Sequence, residues 1–300
     1  MTTVEQVTDP VFELAEGPVW DAPRGRLVWV DILGKAVHTG RLGAGGVELG
    51  PSHHFESYVG AVAVAADGAL LVAEGHHLTQ VAIDGTRTSG PDLFADHPDD
   101  RWNDGTCDAR GRFLIGTMSL TGAEHSQRLL RVDGDTTAVL DDDLGLSNGL
   151  AFAPDDSLLY SVDSVPAGRI WVRDYDHGSG AVGIRRQAME LTDAVPDGLC
   201  VDASGNLWIA AWGQGQVRCY SPTGDLLDLI ELPAPHTTSL AFVGPDLDQL
   251  LITSARGELG PAEQHEHPLS GSLFLARPGC IGLPTHAWSG QLTTQVTTGR

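Results

Sequence analysis

The chain of 300 residues has few basic side chains and almost no lysine. Asp and Glu total 40 against 18 Lys and Arg, which gives a formal charge of −22, and Lys35 is the sole lysine. Nucleic acids and anionic membranes attract clustered positive charge, so this composition argues against both as partners. The sequence has no run of about 20 apolar residues that could cross a bilayer. Its first residues also lack the features of a secretory signal, so a cytoplasmic location is expected.

Closely spaced cysteines are missing as well. Cys107, Cys200, Cys219 and Cys280 lie far apart, and no C-x-x-C pair occurs. This spacing argues against a zinc knuckle or a redox motif. Free, buried thiols in a reducing compartment are the expected state of all four.

The sequence also lacks long stretches with helical periodicity. Glycines and short alternating apolar runs are frequent instead, which favours an all-β chain. Six segments share one pattern, in which a small or polar residue precedes an apolar strand, a tight turn and a second apolar strand. The copies begin at Glu16, Gly60, Asn103, Asn148, Asp197 and Thr238. A period of about 45 residues with at least two strands is typical of a propeller blade.

The sequence therefore predicts a six-bladed β-propeller with a central channel, formed by residues 1–300 as a single domain. The last blade of such a ring is usually completed by a strand from the other end of the chain, and the segment near Thr2 to Thr8 is expected to supply it. The tail after Arg277 is expected either to pack under one face or to fray.

The residues that open the six copies are expected to converge at one mouth of the channel. They include two carboxylates and two carboxamides, whose desolvation without a partner would be unfavourable. Oxygen ligands from Glu16, Asn148 and Asp197 favour a hard divalent cation, Ca²⁺ first, with Mg²⁺, Mn²⁺ and Zn²⁺ as alternatives. Three ligands would leave positions open for water and substrate. Each residue alone also fits an ordinary turn, and only the shared position favours a site.

Four motifs in the chain resemble the regucalcin, gluconolactonase and luciferin-regenerating enzyme family. They are LAEGPVW from Leu14, RWNDG with the later GTM, LSNGLAFAPD from Leu146, and PDGLCVDASGNLWIAAW from Pro196. The resemblance extends from about Glu13 to about Arg277. It implies a six-bladed propeller that binds one divalent metal in the channel and hydrolyses a sugar lactone to an aldonic acid.

The resemblance also implies roles for individual residues. Glu16, Asn148 and Asp197 correspond to the metal ligands of the family, and Asp197 corresponds to its general base. Arg101 and Asn103 of the RWNDG motif correspond to the substrate contacts.

The chain departs from the family pattern after GTM. Many sugar lactonases carry an acidic pair there, whereas this sequence has Met118, Ser119, Leu120 and Thr121. Glu124 is a nearby acid that could replace the missing contact.

Aromatic and histidine residues have simpler expected roles. Trp20, Trp29, Trp208 and Trp212 fall on repeat strands and are expected in the core, whereas Trp102 either packs or stacks on a sugar. The histidines near positions 53, 76 and 265 are expected in connecting loops without a metal role, with His77 or His265 as candidates for a lid.

The function predicted from the sequence is a metal-dependent lactonase acting on a small sugar lactone. No G-x-S-x-G motif points to a nucleophilic serine. One alternative keeps the metal and changes the substrate to a non-sugar lactone or a phosphotriester, and another is a non-catalytic calcium-binding propeller. The expected partner is a small-molecule lactone, with no nucleic acid or membrane, and the chain is expected to be a monomer or small homo-oligomer.

Overall fold

The computed structural model of the chain describes residues 2–122, 125–134, 136–290 and 292. Within these residues the strands form six antiparallel sheets of four or five strands each. The innermost strand of every sheet contacts the innermost strands of its two neighbours, which closes the sheets into a ring. This arrangement confirms the predicted six-bladed β-propeller.

The strands follow one another around the ring in chain order. The first strand, β1 (Val4–Gln6), belongs to blade 6. Blade 1 contains β2 (Ala15–Asp21), β3 (Arg26–Asp31), β4 (Ala36–Gly43), β5 (Gly46–Leu49) and β6 (His53–His54). Blade 2 contains β7 (Val59–Val64), β8 (Leu70–Glu74), β9 (His77–Val81) and β10 (Arg87–Ser89). Blade 3 contains β11 (Asp100–Cys107), β12 (Phe113–Ser119), β13 (Gln127–Asp133) and β14 (Thr136–Leu144).

The second half of the ring has the same plan. Blade 4 contains β15 (Ser147–Phe152), β16 (Leu158–Asp163), β17 (Arg169–Asp176), β18 (Ala181–Val182) and β19 (Arg186–Glu190). Blade 5 contains β20 (Val195–Val201), β21 (Leu207–Trp212), β22 (Gln216–Tyr220) and β23 (Leu226–Glu231). Blade 6 contains β24 (Thr237–Val243), β25 (Gln249–Ser254) and β26 (Phe274–Ala276) in addition to β1. A 3₁₀ turn (Ala22–Arg24) and one short helix, α1 (Pro261–Glu266), complete the described elements, and no described helix is long and apolar enough to span a membrane.

The two ends of the described chain meet in blade 6. Strand β1 pairs antiparallel with β26, with Val4 opposite Ala276 and Gln6 opposite Phe274. This pairing confirms that the segment near Thr2 to Thr8 completes the last blade. The segment after Arg277 packs under the ring as far as Gly290, where Trp288 is buried and bridges to Ala65.

The hydrophobic core is divided among the interfaces between blades. Side chains alternate between the two faces of a strand, so each sheet contributes to two interfaces. The described residues form six clusters, each lying between two consecutive blades. Between blades 2 and 3, for example, Trp102 and Phe113 pack against Ala61 and Leu71. Since every blade depends on both neighbours, the closed ring holds each innermost strand at the channel.

Every innermost strand contains a β-bulge where it passes the residue that opens its repeat. The register with the second strand shifts at Glu16/Val19, Val59/Ala61, Trp102/Gly105, Asn148/Leu150, Pro196/Leu199 and Thr237/Leu240. A bulge bends a strand and changes the direction of its side chains. The bulges therefore determine the direction of the side chains that open the repeats.

Candidate active site

One mouth of the channel contains a cavity of about 240 Å³. Its polar lining residues come from blades 1, 3, 4, 5 and 6. They are Glu16, Arg101, Asn103, Asn148, Ser164, Asp197 and Glu258. All five residues predicted for the site thus line a single cavity.

Two of the six residues that open the repeats lie elsewhere. A Cβ added to Gly60 would lie 2.4 Å from the carbonyl oxygen of Trp102, so glycine is required by the close approach of blades 2 and 3. Thr238 is buried, and its hydroxyl donates to the carbonyl oxygen of Ala15 at 2.7 Å. These two positions join neighbouring blades, and the other four face the cavity.

The two asparagines are fixed by a chain of hydrogen bonds. Asn103 Nδ2 donates to the side-chain oxygen of Asn148 at 3.0 Å and to the carbonyl oxygen of Ser147 at 2.9 Å. Asn148 Nδ2 donates to Ser164 Oγ at 3.1 Å, and that hydroxyl donates to the carbonyl oxygen of Pro196 at 2.7 Å. The amide oxygen of Asn148 keeps a second lone pair that is free to bind a ligand.

The carboxylates of Glu16 and Asp197 are both buried at the cavity floor. Burial raises the pKa of Glu16 well above its usual value, and the nearby charges of Asp197 and Asp104 raise it further. Burial also raises the pKa of Asp197, with Asp104 as the next cause and a hydrogen bond from Asn148 acting in the opposite direction. The Glu16 Oε2 atom accepts a hydrogen bond from the backbone N–H of Gly17 at 2.9 Å.

Arg101 supplies the positive charge at this site. Its Nη1 donates to Asn103 Oδ1 at 2.9 Å and to the carbonyl oxygen of Trp102 at 2.8 Å. Burial lowers the pKa of Arg101 to about 10, so the guanidinium stays charged at neutral pH, and the attraction of Glu16 opposes this shift. Among the described lining residues Arg101 is the only cationic side chain.

The donor set fits a divalent cation. Within the described part of the chain no three His, Cys, Asp or Glu side chains are grouped closely enough to hold a metal ion. The predicted metal ligands are not such a group, because they combine only two carboxylates, Glu16 and Asp197, with the amide oxygen of Asn148. All three donors are oxygen atoms, which hard cations such as Ca²⁺ prefer. The concentration of buried negative charge also exceeds what Arg101 can balance, which favours an additional cation.

Asp104 was missed by the sequence reasoning. Its carboxylate lies in the channel and lines a second cavity of about 240 Å³ at the opposite mouth. Burial raises its pKa from 3.8 to about 6, and it accepts a hydrogen bond from the backbone N–H of Gly105 at 2.7 Å. The signal was present in the repeats, because the second position of the copies is otherwise small and uncharged. Those residues are Gly17, Ala61, Gly149, Gly198 and Ser239.

The tryptophan predictions were partly wrong. Trp20, Trp29 and Trp208 are buried as expected, but Trp212 lines the cavity and stacks on His236 with ring centroids 4.1 Å apart.

Trp102 could pack or stack on a sugar, and the structure shows packing. Its side chain is only 1% exposed, and its Nε1 donates to the carbonyl oxygen of His77 at 3.0 Å. Phe94 contacts its ring edge-on, with ring centroids 4.4 Å apart. The indole is therefore part of the core between blades 2 and 3.

Several histidines lie in regular elements and not in loops as expected. His53 and His54 form β6, His77 begins β9, and His265 lies in α1. None of the described residues that line the cavity is a histidine.

The structure also bears on the predictions for the cysteines and for the segment after GTM. All four cysteines are free, Cys107 and Cys219 being buried and the other two partly buried. Met118 lines the cavity. Glu124, the suggested replacement for the missing acid, lies outside the described residues.

The fold and the site together define a six-bladed propeller with buried carboxylates and amides at one mouth of its channel. The family model of the SMP-30/Gluconolactonase/LRE-like region matches residues 14–256, and the chain belongs to this family.

Relatives and solved structures agree with this membership over nearly the whole length. Regucalcin of Xenopus laevis is 32% identical over 96% of this chain and 98% of its own. A pentonolactonase of Haloferax volcanii is 34% identical over 94% of this chain and 97% of its own. The crystal structure of a calcium-binding protein, regucalcin, from Agrobacterium tumefaciens superposes with a TM-score of 0.88 at 29% identity, covering 94% of this chain and 96% of that one.

Proposed function

We propose that the protein is a divalent-metal-dependent hydrolase that opens a small sugar lactone to its aldonic acid. The observation that carries the proposal is the convergence of Glu16, Asn148 and Asp197 beside Arg101 in one cavity. Relatives named pentonolactonase, sugar lactone lactonase and 6-deoxy-6-sulfogluconolactonase support the reaction class.

Glu16, Asn148 and Asp197 would hold the cation, with Ca²⁺ favoured by the oxygen donors. The similar structure described as a calcium-binding protein supports this choice. When bound, a divalent cation would supply Lewis-acid polarisation of the lactone carbonyl. The asparagine network holds the Asn148 oxygen in place, because its nitrogen is already engaged by Ser164.

Asp197 is the proposed general base, which would accept the proton of the attacking water. Burial raises the pKa of Asp197 above the usual value of an aspartate, which makes its carboxylate a stronger base. Such a step typically contributes ~10²–10⁴-fold to the rate. Arg101 hydrogen-bonds within the described residues only through Nη1, so its other N–H groups are free to bind ring oxygens or the carboxylate that forms. Asn103 holds Arg101 in this orientation and keeps one lone pair on Oδ1 for a substrate hydroxyl.

The first prediction tests this assignment with a pH-indicator screen of aldonolactones in the presence of Ca²⁺, Mg²⁺, Mn²⁺ or Zn²⁺. We expect hydrolysis by the wild type and a loss of at least ~10²-fold in kcat/KM for Asp197→Asn. Glu16→Gln is expected to weaken cation binding and to reduce the rise in melting temperature that the cation produces. Asp246→Asn, at an exposed position on blade 6, is the matched control and should behave as the wild type.

Distinct outcomes would contradict the proposal. Full activity of Asp197→Asn would contradict the assignment of Asp197 as the general base. A melting temperature that none of the four cations raises would contradict cation binding. Turnover of a phosphotriester without lactone hydrolysis would favour the alternative substrate class, and no turnover at all would favour a non-catalytic propeller.

A further inference from the structure

The more exposed part of the cavity lining is largely apolar. Beside the buried polar groups lies a set of partly exposed apolar side chains, called here the apolar arc and formed by Met118, Leu146, Val195 and Trp212. These residues belong to blades 3, 4 and 5, whose innermost strands contact one another in that order and also carry Arg101, Asn148 and Asp197. The arc therefore lies on the same blades as these polar groups, where the cavity is more exposed.

The arc continues outward onto the surface. Leu120 is 54% exposed and lies two residues after Met118, just beyond the end of β12, and Val165 is 37% exposed in the loop between β16 and β17. Val195, within the arc, is itself 40% exposed. Single exposed apolar residues are common and need no explanation. Here, however, Val195 itself lines the cavity, and Leu120 and Val165 lie within two residues of the lining residues Met118 and Ser164. Exposed apolar patches of this kind mark binding surfaces.

Along the arc itself, few polar atoms remain for a substrate hydroxyl. The amide hydrogens of Asn103 both donate to the protein, and the hydroxyl hydrogen of Ser164 donates to Pro196. Along the arc itself, the indole Nε1 of Trp212 is the only side-chain hydrogen-bonding group apart from the weak acceptor sulfur of Met118. A substrate hydroxyl buried against the arc would lose its water without gaining a good partner, which is unfavourable.

An anionic substituent on this edge is disfavoured by the charges of the lining. Arg101 is the only cationic side chain among the described lining residues, and the charges of Glu16, Glu258 and Asp197 already act on it. Glu258, exposed at the rim, would repel an anion. The arc thus suits a neutral, apolar group.

We propose that the site takes lactones whose edge away from the reacting carbonyl carries methyl, methylene or alkyl groups in place of hydroxyls. These are deoxyaldonolactones and alkyl-substituted lactones. The inference rests on the proposed lactonase function and names the substrate class of that same site. The ring oxygen and carbonyl face Arg101 and Asp197, and the apolar edge packs on Met118, Val195 and Trp212.

The second prediction uses a pair of probes that differ by one hydroxyl, D-ribono-1,4-lactone and its 5-deoxy analogue. We expect the wild type, with its cation, to favour the deoxy compound in kcat/KM by about 10–100-fold, the range by which a hydrophobic pocket discriminates one small group. Met118→Gln and Val195→Thr keep the side-chain size and add hydrogen-bonding groups. Both should reduce or reverse this preference.

Val139→Thr is the matched control, because Val139 is exposed on the outer strand β14, away from the cavity. Its preference should equal that of the wild type, and melting curves of all variants establish that they fold. Equal or better turnover of the hydroxylated lactone would overturn the inference and leave the proposed function intact. A deoxy preference that both arc variants retain would also overturn it. If the protein hydrolyses neither of these lactones and no lactone of the first screen, the proposed function itself is contradicted.

Discussion

Three carboxylates lie close to one another in the channel. Glu16, Asp104 and Asp197 interact with one another, and burial is the largest cause of the raised pKa of each. Among the described lining residues of the site, Arg101 supplies the only positive charge that stabilises their ionised forms. Without a cation, the folded protein therefore holds these carboxylates in an unfavourable environment.

Asp104 provides a third prediction, on stability against pH. Its folded pKa of about 6 lies above the 3.8 of an unperturbed Asp, so its favourable contribution is complete below pH ~4 and is lost as the pH rises through 6. Asp104→Asn removes the titrating carboxyl and therefore this loss of stability at higher pH. In chelator at pH 8, urea unfolding should show the variant more stable than the wild type by on the order of 1–3 kcal/mol, with no difference at pH 4.

The control for this prediction is Asp246→Asn, which removes an exposed charge and should keep the pH dependence of the wild type. If the wild type and Asp104→Asn lose stability in parallel between pH 4 and pH 8, the carboxylate of Asp104 is not held in an unfavourable environment.

The tryptophans show which details of the site the sequence could not provide. Trp102 and Trp212 both lie at strand positions near the channel, and pattern alone placed one at the mouth and the other in the core. The bulge between Trp102 and Gly105 shifts the register there. A shift of one residue exchanges the two faces of a strand, so side-chain direction beside a bulge does not follow from alternation.

At the scale of elements, the bulges of the innermost strands depend on close approach between blades. A Cβ on Gly149 would lie 2.6 Å from the carbonyl oxygen of Asp197, and a Cβ on Gly198 would lie 2.3 Å from the hydroxyl oxygen of Ser239. The glycines of the NG and DG motifs thus have a structural role that is separate from the role proposed for Asn148 and Asp197 beside them. Site and scaffold share the same dipeptides, which explains why the repeats could be recognised from sequence.

The fourth prediction concerns Gly60, where the neighbouring atom is also backbone. Gly60→Ala places a methyl group 2.4 Å from the carbonyl oxygen of Trp102, and the two strands must separate to admit it. We expect a loss of about 1–3 kcal/mol in the free energy of unfolding, measured by chemical denaturation.

Gly45→Ala serves as the control because a Cβ there meets nothing within 4 Å, and its effect should stay within about 0.5 kcal/mol. Similar stability of the two variants would show that the blades can separate at Gly60 without cost.

The outer elements were less predictable than the inner ones. The two inner strands of each blade have clear apolar patterns and correspond to observed strands. The outermost strands are largely exposed and carry little hydrophobic alternation, for example Arg87–Ser89. Helix α1 is short and has no buried residue, so it has no periodic apolar face to reveal it.

For the whole molecule, ring closure is the feature that the repeats predicted and the pairing of β1 with β26 confirmed. This closure could be predicted because the last blade of a propeller is usually completed by a strand from the other end of the chain. The distances within the site could not be predicted, because they depend on how six separately packed interfaces bring distant strands together. Glu16 and Asp197, for instance, meet only across the finished channel.

The fifth prediction tests this closure by removing residues 2–6. The deletion leaves β26 with an unpaired edge and removes the hydrogen bonds that Val4 and Gln6 form across it. We expect a loss on the order of 2–4 kcal/mol in unfolding free energy, from several backbone hydrogen bonds of about 1 kcal/mol each.

Glu5→Ala is the comparison for the deletion, because it removes an exposed side chain and keeps the strand. Unfolding curves of the deletion variant that match those of Glu5→Ala would show that the ring is held closed by the contacts of β24 and β2 alone.

The closing pair of strands also determines the order of events on the ribosome. At ~5–20 residues per second, β1 emerges tens of seconds before β26, its partner in the ring. Throughout that interval the first blades exist without the last. Asp197 is synthesised 181 positions after Glu16, so the two carboxylates cannot meet before then. The proposed cation, held by both residues, could therefore stabilise the chain only after blade 5 has been made, so the first blades must fold on the strength of their own interfaces.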